Sequence, residues 1–212
     1  MTKLRPMSSL DHLVLATPDL AGTVAEVARL TGTRPVPGGA HPALGTRNFL
    51  LGLGDGAYLE IVGPDPEQGE PEGPRPFGID ALGEARLVTW AVRVEDVDAA
   101  VAAARAAGYD PGDPWELSRQ TPAGDRLTWR LTLDRGQGRT GLVPFLIDWG
   151  ATPHPSAGLP VVPFVGLEAV HPDPERIETP LEAIGAKLPL KAGNRASLAA
   201  TLFGETGLVV LH

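Results

Sequence analysis

A predicted order of one strand, one helix and three strands occurs three times along this chain, and this repetition most constrains its fold. The first copy begins with DHLVLAT at residues 11–17, a short strand rich in Val and Leu. Asp19 is placed to cap an amphipathic helix whose apolar residues recur at spacings of three and four, and Gly32 ends that helix. Three strands are then predicted, around 34–36, 46–53 and 57–62, and the glycine turn at 54–56 joins the last two as a hairpin.

The second copy begins at Leu87, with Asp96 as the cap of an alanine-rich helix that ends at Gly108 and a strand predicted near 115–118. A weaker third copy begins at Phe164. Segments rich in proline separate the copies, near 67–78 and 151–163. The pattern therefore predicts an α+β fold of repeated βαβββ modules: 8–66 and 86–150, paired within a core at 8–155, and a third at 160–212 that packs on the core or on a partner chain.

The composition excludes several classes of protein. The net charge of −8 repels phosphate backbones, so we expect no nucleic-acid partner. No apolar stretch approaches the roughly 20 residues that span a bilayer, and no signal peptide is recognisable, so we expect a cytoplasmic protein without a membrane partner. Cysteine is absent, so any metal would need His, Asp or Glu ligands. The chain has no P-loop and no dinucleotide-binding glycine motif, so we expect no nucleotide cofactor.

Four phrases carry a family resemblance over about residues 9–155, namely LDHLVLATPDL, HPALGTRN, GDGAYLEIVGPDP and PFLIDWGATPHP. They resemble the vicinal-oxygen-chelate superfamily, and more specifically its glyoxalase-like subfamily. The resemblance implies curved mixed sheets that form an open, barrel-like cleft with the helices outside. It places His12 and Glu60 at metal-ligand positions. It also implies a divalent ion (Zn, Ni, Mn or Fe) and a lyase or isomerase that acts on a small carbonyl or carboxylate metabolite.

The second module departs from the ligand pattern of this superfamily. Superposing the caps Asp19 and Asp96 puts Thr89 where His12 stands, and superposing Gly63 on Gly150 puts Ile147 where Glu60 stands. Isoleucine cannot bind a metal, so the metal site is incomplete. A non-catalytic protein that binds or sequesters small molecules is therefore an alternative. A ring-cleaving dioxygenase is a third interpretation, but it needs a histidine at Thr89.

The alternation of side chains along a strand places His12 and Glu60 on one shared surface, with Tyr58 beside Glu60. Leu13, Leu15, Leu59 and Ile61 would then form the opposite, apolar face under the helix. His12 and Glu60 could bind a metal, act as an acid–base pair, or form a buried hydrogen-bonded pair with a structural role.

Further residues are candidates for binding a substrate. Thr46 and Asn48 are predicted to face the cleft from the neighbouring strand. His41, in a glycine-rich segment, is a candidate for a mobile lid or an exposed loop residue. Arg130 is predicted to enter the cleft, where it would bind a carboxylate or phosphate or pair with a buried acid. The opposite wall is predicted to hold Phe145, Ile147 and Trp149. His154 is predicted to be exposed, and a homodimer is left open.

Overall fold

The computed structural model describes residues 9–121, 124–132 and 141–212, with twelve strands, three α-helices and two short 3-10 helices at Pro42–Leu44 and Pro76–Ala81. The first module contains β1 (Ser9–Ala16), α1 (Leu20–Thr31), β2 (Val36–His41), β3 (Thr46–Gly54) and β4 (Ala57–Pro64). The second contains β5 (Arg86–Arg93), α2 (Val97–Ala106), β6 (Pro114–Gln120), β7 (Arg126–Thr132) and β8 (Phe145–Asp148). The third contains β9 (Phe164–His171), α3 (Glu175–Ala183), β10 (Leu190–Ala192), β11 (Ser197–Gly204) and β12 (Gly207–Leu211).

The helices α1 and α2 begin at the predicted caps. The Asp19 carboxylate accepts a hydrogen bond from the Gly22 amide, and Asp96 does the same for Ala99. At the end of α1, Gly32 takes a left-handed conformation with φ of 74° and donates its N–H to the Ala28 carbonyl. Both predicted caps are therefore confirmed.

The first two modules together close an eight-stranded barrel in the order β1-β4-β3-β2-β6-β7-β8-β5. Within each module, the first strand pairs in parallel with the last strand. Between the modules, β1 pairs with β5 and β2 pairs with β6, both antiparallel. The barrel is thus built by one chain, and the two modules contribute equal halves of its wall. This agrees with the predicted α+β class of repeated modules with curved mixed sheets.

The strands of the barrel separate an outer apolar face from an inner face that lines a cavity. On the outside, the predicted apolar face packs with α1 in the largest core cluster, which includes Leu13, Leu15, Leu59, Ile61, Leu20, Val24 and Val27. On the inside, separate aromatic and aliphatic clusters surround the cavity. The predicted alternation of β1 and β4 is therefore confirmed.

The third module has the same order of elements but a different sheet. Its strands lie in the order β10-β9-β11-β12, so the first strand of the module is central and the last strand is at the edge. This sheet packs on the same chain, with β11 against β5 and α1, and α3 against α2. The Leu87 amide also donates a hydrogen bond of 2.6 Å to the His212 carbonyl. The division into domains at 8–155 and 160–212 stays a prediction.

The segment between the second and third modules lies against the barrel. The Gly52 amide donates to the Pro160 carbonyl at 2.8 Å, and the Val162 amide donates to the Gly52 carbonyl at 2.9 Å. These bonds fix the connection beside β3. Across the described ranges, no helix has the length and apolar character that crossing a membrane requires.

Candidate functional site

The barrel encloses a cavity of about 900 Å³, whose wall is formed by strands of both modules. Its size and mixed apolar and polar wall are typical of sites for small molecules. Eight of the nine predicted site residues contribute to this wall: His12, His41, Thr46, Asn48, Tyr58, Glu60, Phe145 and Trp149. The ninth, Arg130, does not.

His12 and Glu60 converge in this wall from the adjacent strands β1 and β4. Because the strands run in parallel with Val14 opposite Glu60, both side chains face inward. Nε2 of His12 lies 3.8 Å from Oε2 of Glu60. The other carboxylate oxygen of Glu60 accepts a hydrogen bond of 2.6 Å from Nδ2 of Asn48. Asn48 therefore holds Glu60 so that one oxygen points toward the imidazole.

Asp11 holds the other side of the imidazole. Its Oδ1 lies 2.7 Å from Nδ1 of His12, and both side chains are buried. Neighbouring residues on a strand normally face opposite sides, but a β-bulge shifts the β1–β5 register between Leu10 and His12. An aspartate that accepts the Nδ1 proton leaves Nε2 as the free, reactive nitrogen. Alternation alone could not have found Asp11.

Asp11 also accepts hydrogen bonds from the second module and from the segment that follows it. Its Oδ2 lies 2.9 Å from Nε of Arg93, 2.9 Å from Nε2 of His154 and 3.2 Å from Nε1 of Trp149. Burial raises the pKa of Asp11, but the hydrogen bonds with His12, His154 and Arg93 outweigh it and hold this pKa well below its usual range. The prediction of an exposed His154 is wrong, because this contact leaves its side chain only 17% exposed.

His41 lies on a strand and not on a mobile loop. Its backbone pairs with that of Thr46 in the β2–β3 ladder, and its Nδ1 lies 3.2 Å from Oγ1 of Thr46. Burial lowers the pKa of His41 and favours the neutral imidazole. The predictions of a lid and of an exposed loop residue are both wrong, because antiparallel pairing orders the glycine-rich segment.

Aromatic rings surround His12 and form the apolar part of the wall. Tyr58 stacks on the imidazole with ring centroids 4.8 Å apart, and Phe145 meets it edge-on at 5.4 Å. Burial raises the pKa of Tyr58 well above its usual range, so its hydroxyl stays protonated. Trp129 and Trp149 lie 5.3 Å apart on the side formed by the second module.

Arg130 points away from the cavity, so its predicted position is wrong. Its guanidinium is exposed and binds both carboxylate oxygens of Asp98 on α2, at 2.5 and 3.0 Å. The apolar residues that alternate with it, including Trp129 and Leu131, face the cavity. An apolar cavity wall and an apolar core have the same composition, so the alternation could not tell which face of β7 was inside.

The buried arginine of the cavity is Arg119, on the neighbouring strand β6. Its Nη1 donates a hydrogen bond to the carbonyl of Gly38. Sequence analysis missed it because the predicted strand covered 115–118, whereas β6 extends to Gln120. A predicted strand that continued to residue 119 would have placed Arg119 on the same face as Leu117, which lines the cavity.

The strand register also revises one predicted counterpart in the second module. Leu13 pairs with Trp90 near the centre of the β1–β5 ladder, with Val14 opposite Thr89 and His12 opposite Ala91. A two-fold relation about that pair relates His12 to Thr89, as predicted. The β5–β8 register pairs Ala91 with Phe145, so the counterpart of Glu60 is Phe145 and not Ile147.

The donor set does not fit a resident divalent ion held by the protein alone. Two ligands, His12 and Glu60, come from one module, whereas their counterparts Thr89 and Phe145 offer one hydroxyl and no donor. Across residues 9–121, 124–132 and 141–212, no group of three His, Cys, Asp or Glu side chains is arranged to bind a metal.

Comparison with known proteins identifies related sequences and folds. A sequence model described as a glyoxalase-like domain matches residues 10–185. A hypothetical protein from Staphylococcus aureus aligns over 96% of this chain and 98% of its own, with 12% identity and a TM-score of 0.65. A variant of 4-hydroxymandelate synthase from Streptomyces coelicolor aligns over 97% of this chain and 63% of its own, with 14% identity and a TM-score of 0.56. Methylmalonyl-CoA epimerase from Streptomyces coelicolor aligns at 23% identity over 69% of this chain and 97% of its own, with a TM-score of 0.44. No curated protein matched.

Proposed function

This chain belongs to the glyoxalase-like domain family of the vicinal-oxygen-chelate superfamily, and we propose that it moves a proton at the carbon beside the carbonyl of a small metabolite. The observation that carries the proposal is the pair formed by Glu60 and His12. One oxygen of Glu60 and one nitrogen of His12 lie 3.8 Å apart at the cavity wall. Asn48 and Asp11 hold the other ends of the two groups.

In the proposed reaction, Oε2 of Glu60 accepts the proton from carbon, and His12 takes part in holding and returning it. Asp11 supports this role because an ionised carboxylate beside Nδ1 stabilises the imidazolium that forms when Nε2 is protonated. The aromatic wall binds the apolar body of the metabolite and excludes water from the pair. Returning the proton to the opposite face of the same carbon, or to a neighbouring atom, gives an isomerase.

Members of the superfamily commonly use divalent metal ions. Because the protein supplies only two ligands at the corresponding positions, no step of the proposed reaction passes through a metal. The specific predictions of a lyase or metal-dependent isomerase, a cytoplasmic location and a homodimer stay open to test.

The reaction can be tested by following exchange of the carbon-bound protons of phenylpyruvate with D₂O by NMR. We expect the protein to accelerate exchange, and both Glu60→Gln and His12→Gln to slow it by about 100-fold or more, the usual contribution of a general base. Arg130→Met is the matched control, because this residue lies outside the cavity. Unchanged exchange in Glu60→Gln would contradict the proposed role of the carboxylate.

A protein that only binds its ligand is the second candidate, and one observation favours it. The counterparts of the polar pair in the second module are Thr89 and Phe145, so half of the wall has no titratable group at these positions. A binding protein would be stabilised by an apolar ligand while catalysing no exchange. The NMR experiment, combined with a melting curve in the presence of phenylpyruvate, separates the two candidates.

A further inference from the structure

Arg119 is a buried cation in the cavity wall with few partners in the protein. Its side chain is 5% exposed, and its one hydrogen bond among the described residues goes to the Gly38 carbonyl. A guanidinium has five N–H donors in a planar arrangement. Within the described parts of the chain, no carboxylate lies at ion-pair distance from it. Most of its donors therefore remain available on the cavity side.

The charge of Arg119 is poorly compensated. Burial lowers the pKa of Arg119, and the opposing effects of Tyr58 and Glu60 are smaller. Tyr58 does not compensate the charge, since its hydroxyl stays protonated. Keeping a charged group out of water is costly unless an opposite charge and hydrogen bonds replace the lost hydration. An anionic ligand in the cavity would supply the missing opposite charge and hydrogen bonds.

Of two neighbouring glycines in β2, Gly39 makes room for the guanidinium and Gly38 makes room for the Asn48 side chain. A side chain at Gly39 would lie 2.9 Å from Nη1 of Arg119 and would collide with the Gln120 carbonyl. A side chain at Gly38 would collide with Oδ1 of Asn48, a buried atom without a hydrogen-bond partner among the described residues. Arg119 and Asn48 therefore lie at the same polar end of the cavity, near Glu60.

We propose that Arg119 binds the carboxylate of a monocarboxylate ligand, with the apolar body of that ligand against the aromatic wall of the second module. The inference rests on the proposed function, because it uses the same cavity as the ligand site. Carboxylate oxygens match the planar donors of arginine in a bidentate arrangement. A phosphate dianion is disfavoured, because Arg119 is the one buried arginine or lysine in the described wall and the Glu60 carboxylate lies on the same side of the cavity.

Calorimetric titration with 3-phenylpropanoate, its neutral amide 3-phenylpropanamide, and 2-phenylethyl phosphate tests this assignment. We expect the carboxylate to bind at least about tenfold more tightly than the amide or the phosphate, as charge-assisted hydrogen bonds predict. Arg119→Met should weaken carboxylate binding by about 10- to 100-fold and leave amide binding within about twofold. Arg119→Lys keeps the charge and should retain part of the preference.

Arg130→Met is the matched control on the adjacent strand and should bind like the wild type. Melting curves establish that each variant is folded, and retained amide binding shows that its cavity is intact. Four results would overturn the inference: equal binding of acid and amide by the wild type, tighter binding of the phosphate, binding of none of the probes, or an unchanged preference in Arg119→Met.

If exchange of phenylpyruvate protons persists without an acid preference, only this inference fails. If the acid preference persists without exchange, only the proposed reaction fails.

Discussion

Asp11 connects the two modules at the point where the proposed chemistry takes place. It belongs to β1, yet it accepts hydrogen bonds from Arg93 on β5 and from Trp149 and His154 beyond β8. The same carboxylate fixes the ring of His12. The orientation of a reactive residue from the first module therefore depends on donors supplied by later parts of the chain.

Replacing this carboxylate should reduce stability in a pH-dependent manner. We expect Asp11→Asn to lower the free energy of unfolding at pH 7 by about 3 kcal/mol, because removing one member of a buried charged network leaves the others unpaired. Since the pKa of Asp11 is lower in the folded state, its contribution is present above about pH 4 and is lost as the pH falls further.

Urea unfolding at pH 7 and near pH 3.5 measures this effect. The difference in stability between wild type and Asp11→Asn should be smaller at the lower pH, because Asp11 of the unfolded chain is then largely protonated. Asp98→Asn is the control, because its exposed pair with Arg130 should contribute little. A constant difference between the two proteins at both pH values would contradict the assigned protonation state.

At the residue scale, sequence patterns predicted the meeting of His12 and Glu60 but not the residues that support them. Strand alternation was sufficient for the pair because the apolar residues on either side clearly mark the outer face of β1 and β4. Asp11 could not be found, because a bulge moves it from the face that alternation assigns.

The elements of this fold are fixed by local signals at their ends and by apolar periodicity in between. The caps of α1 and α2 and the glycine turn between β3 and β4 were predictable because each uses local chemistry. The sequence did not predict which face of β7 lines the cavity. A strand that lies between a cavity and a helix can carry apolar residues on either face. The position where β6 ends could not be predicted either, since the end of a strand depends on its pairing with the neighbouring strand.

The cap of α1 gives a direct test at this scale. We expect Asp19→Ala to lower the free energy of unfolding by about 1 kcal/mol, because the Gly22 amide loses its hydrogen-bond acceptor. Asp19→Asn keeps an acceptor oxygen and should be close to neutral. Urea unfolding followed by circular dichroism measures both variants, and equal stabilities for Ala and Asn would show that the side chain does not cap the helix.

The whole molecule has one continuous outer core that extends from the barrel into the third module. Leu202 on β11 is fully buried and belongs to the same cluster as Leu13 and Val24. The third module therefore covers apolar surface of the barrel in addition to its own. We infer that the barrel and the third module unfold together, as a single cooperative unit.

Leu202→Ala tests this cooperativity. All four tryptophans lie between residues 90 and 149, so their fluorescence reports on the barrel alone. We expect the substitution to lower the unfolding free energy by about 2–5 kcal/mol, with fluorescence and circular dichroism shifting together. Leu208→Ala, at a 66% exposed position on β12, is the matched control and should have little effect. A fluorescence transition that does not move in Leu202→Ala would show that the barrel folds independently.

Closure of the barrel by two modules of a single chain has a consequence for how a ligand can be oriented. A barrel assembled from two identical subunits must repeat every wall residue by symmetry, so its two ends are chemically equivalent. Here the halves are covalently joined and can differ, with the polar pair on one side and threonine and phenylalanine at the related positions. The two halves of the cavity wall therefore differ chemically, and a ligand with one polar end and one apolar end can bind in one orientation only.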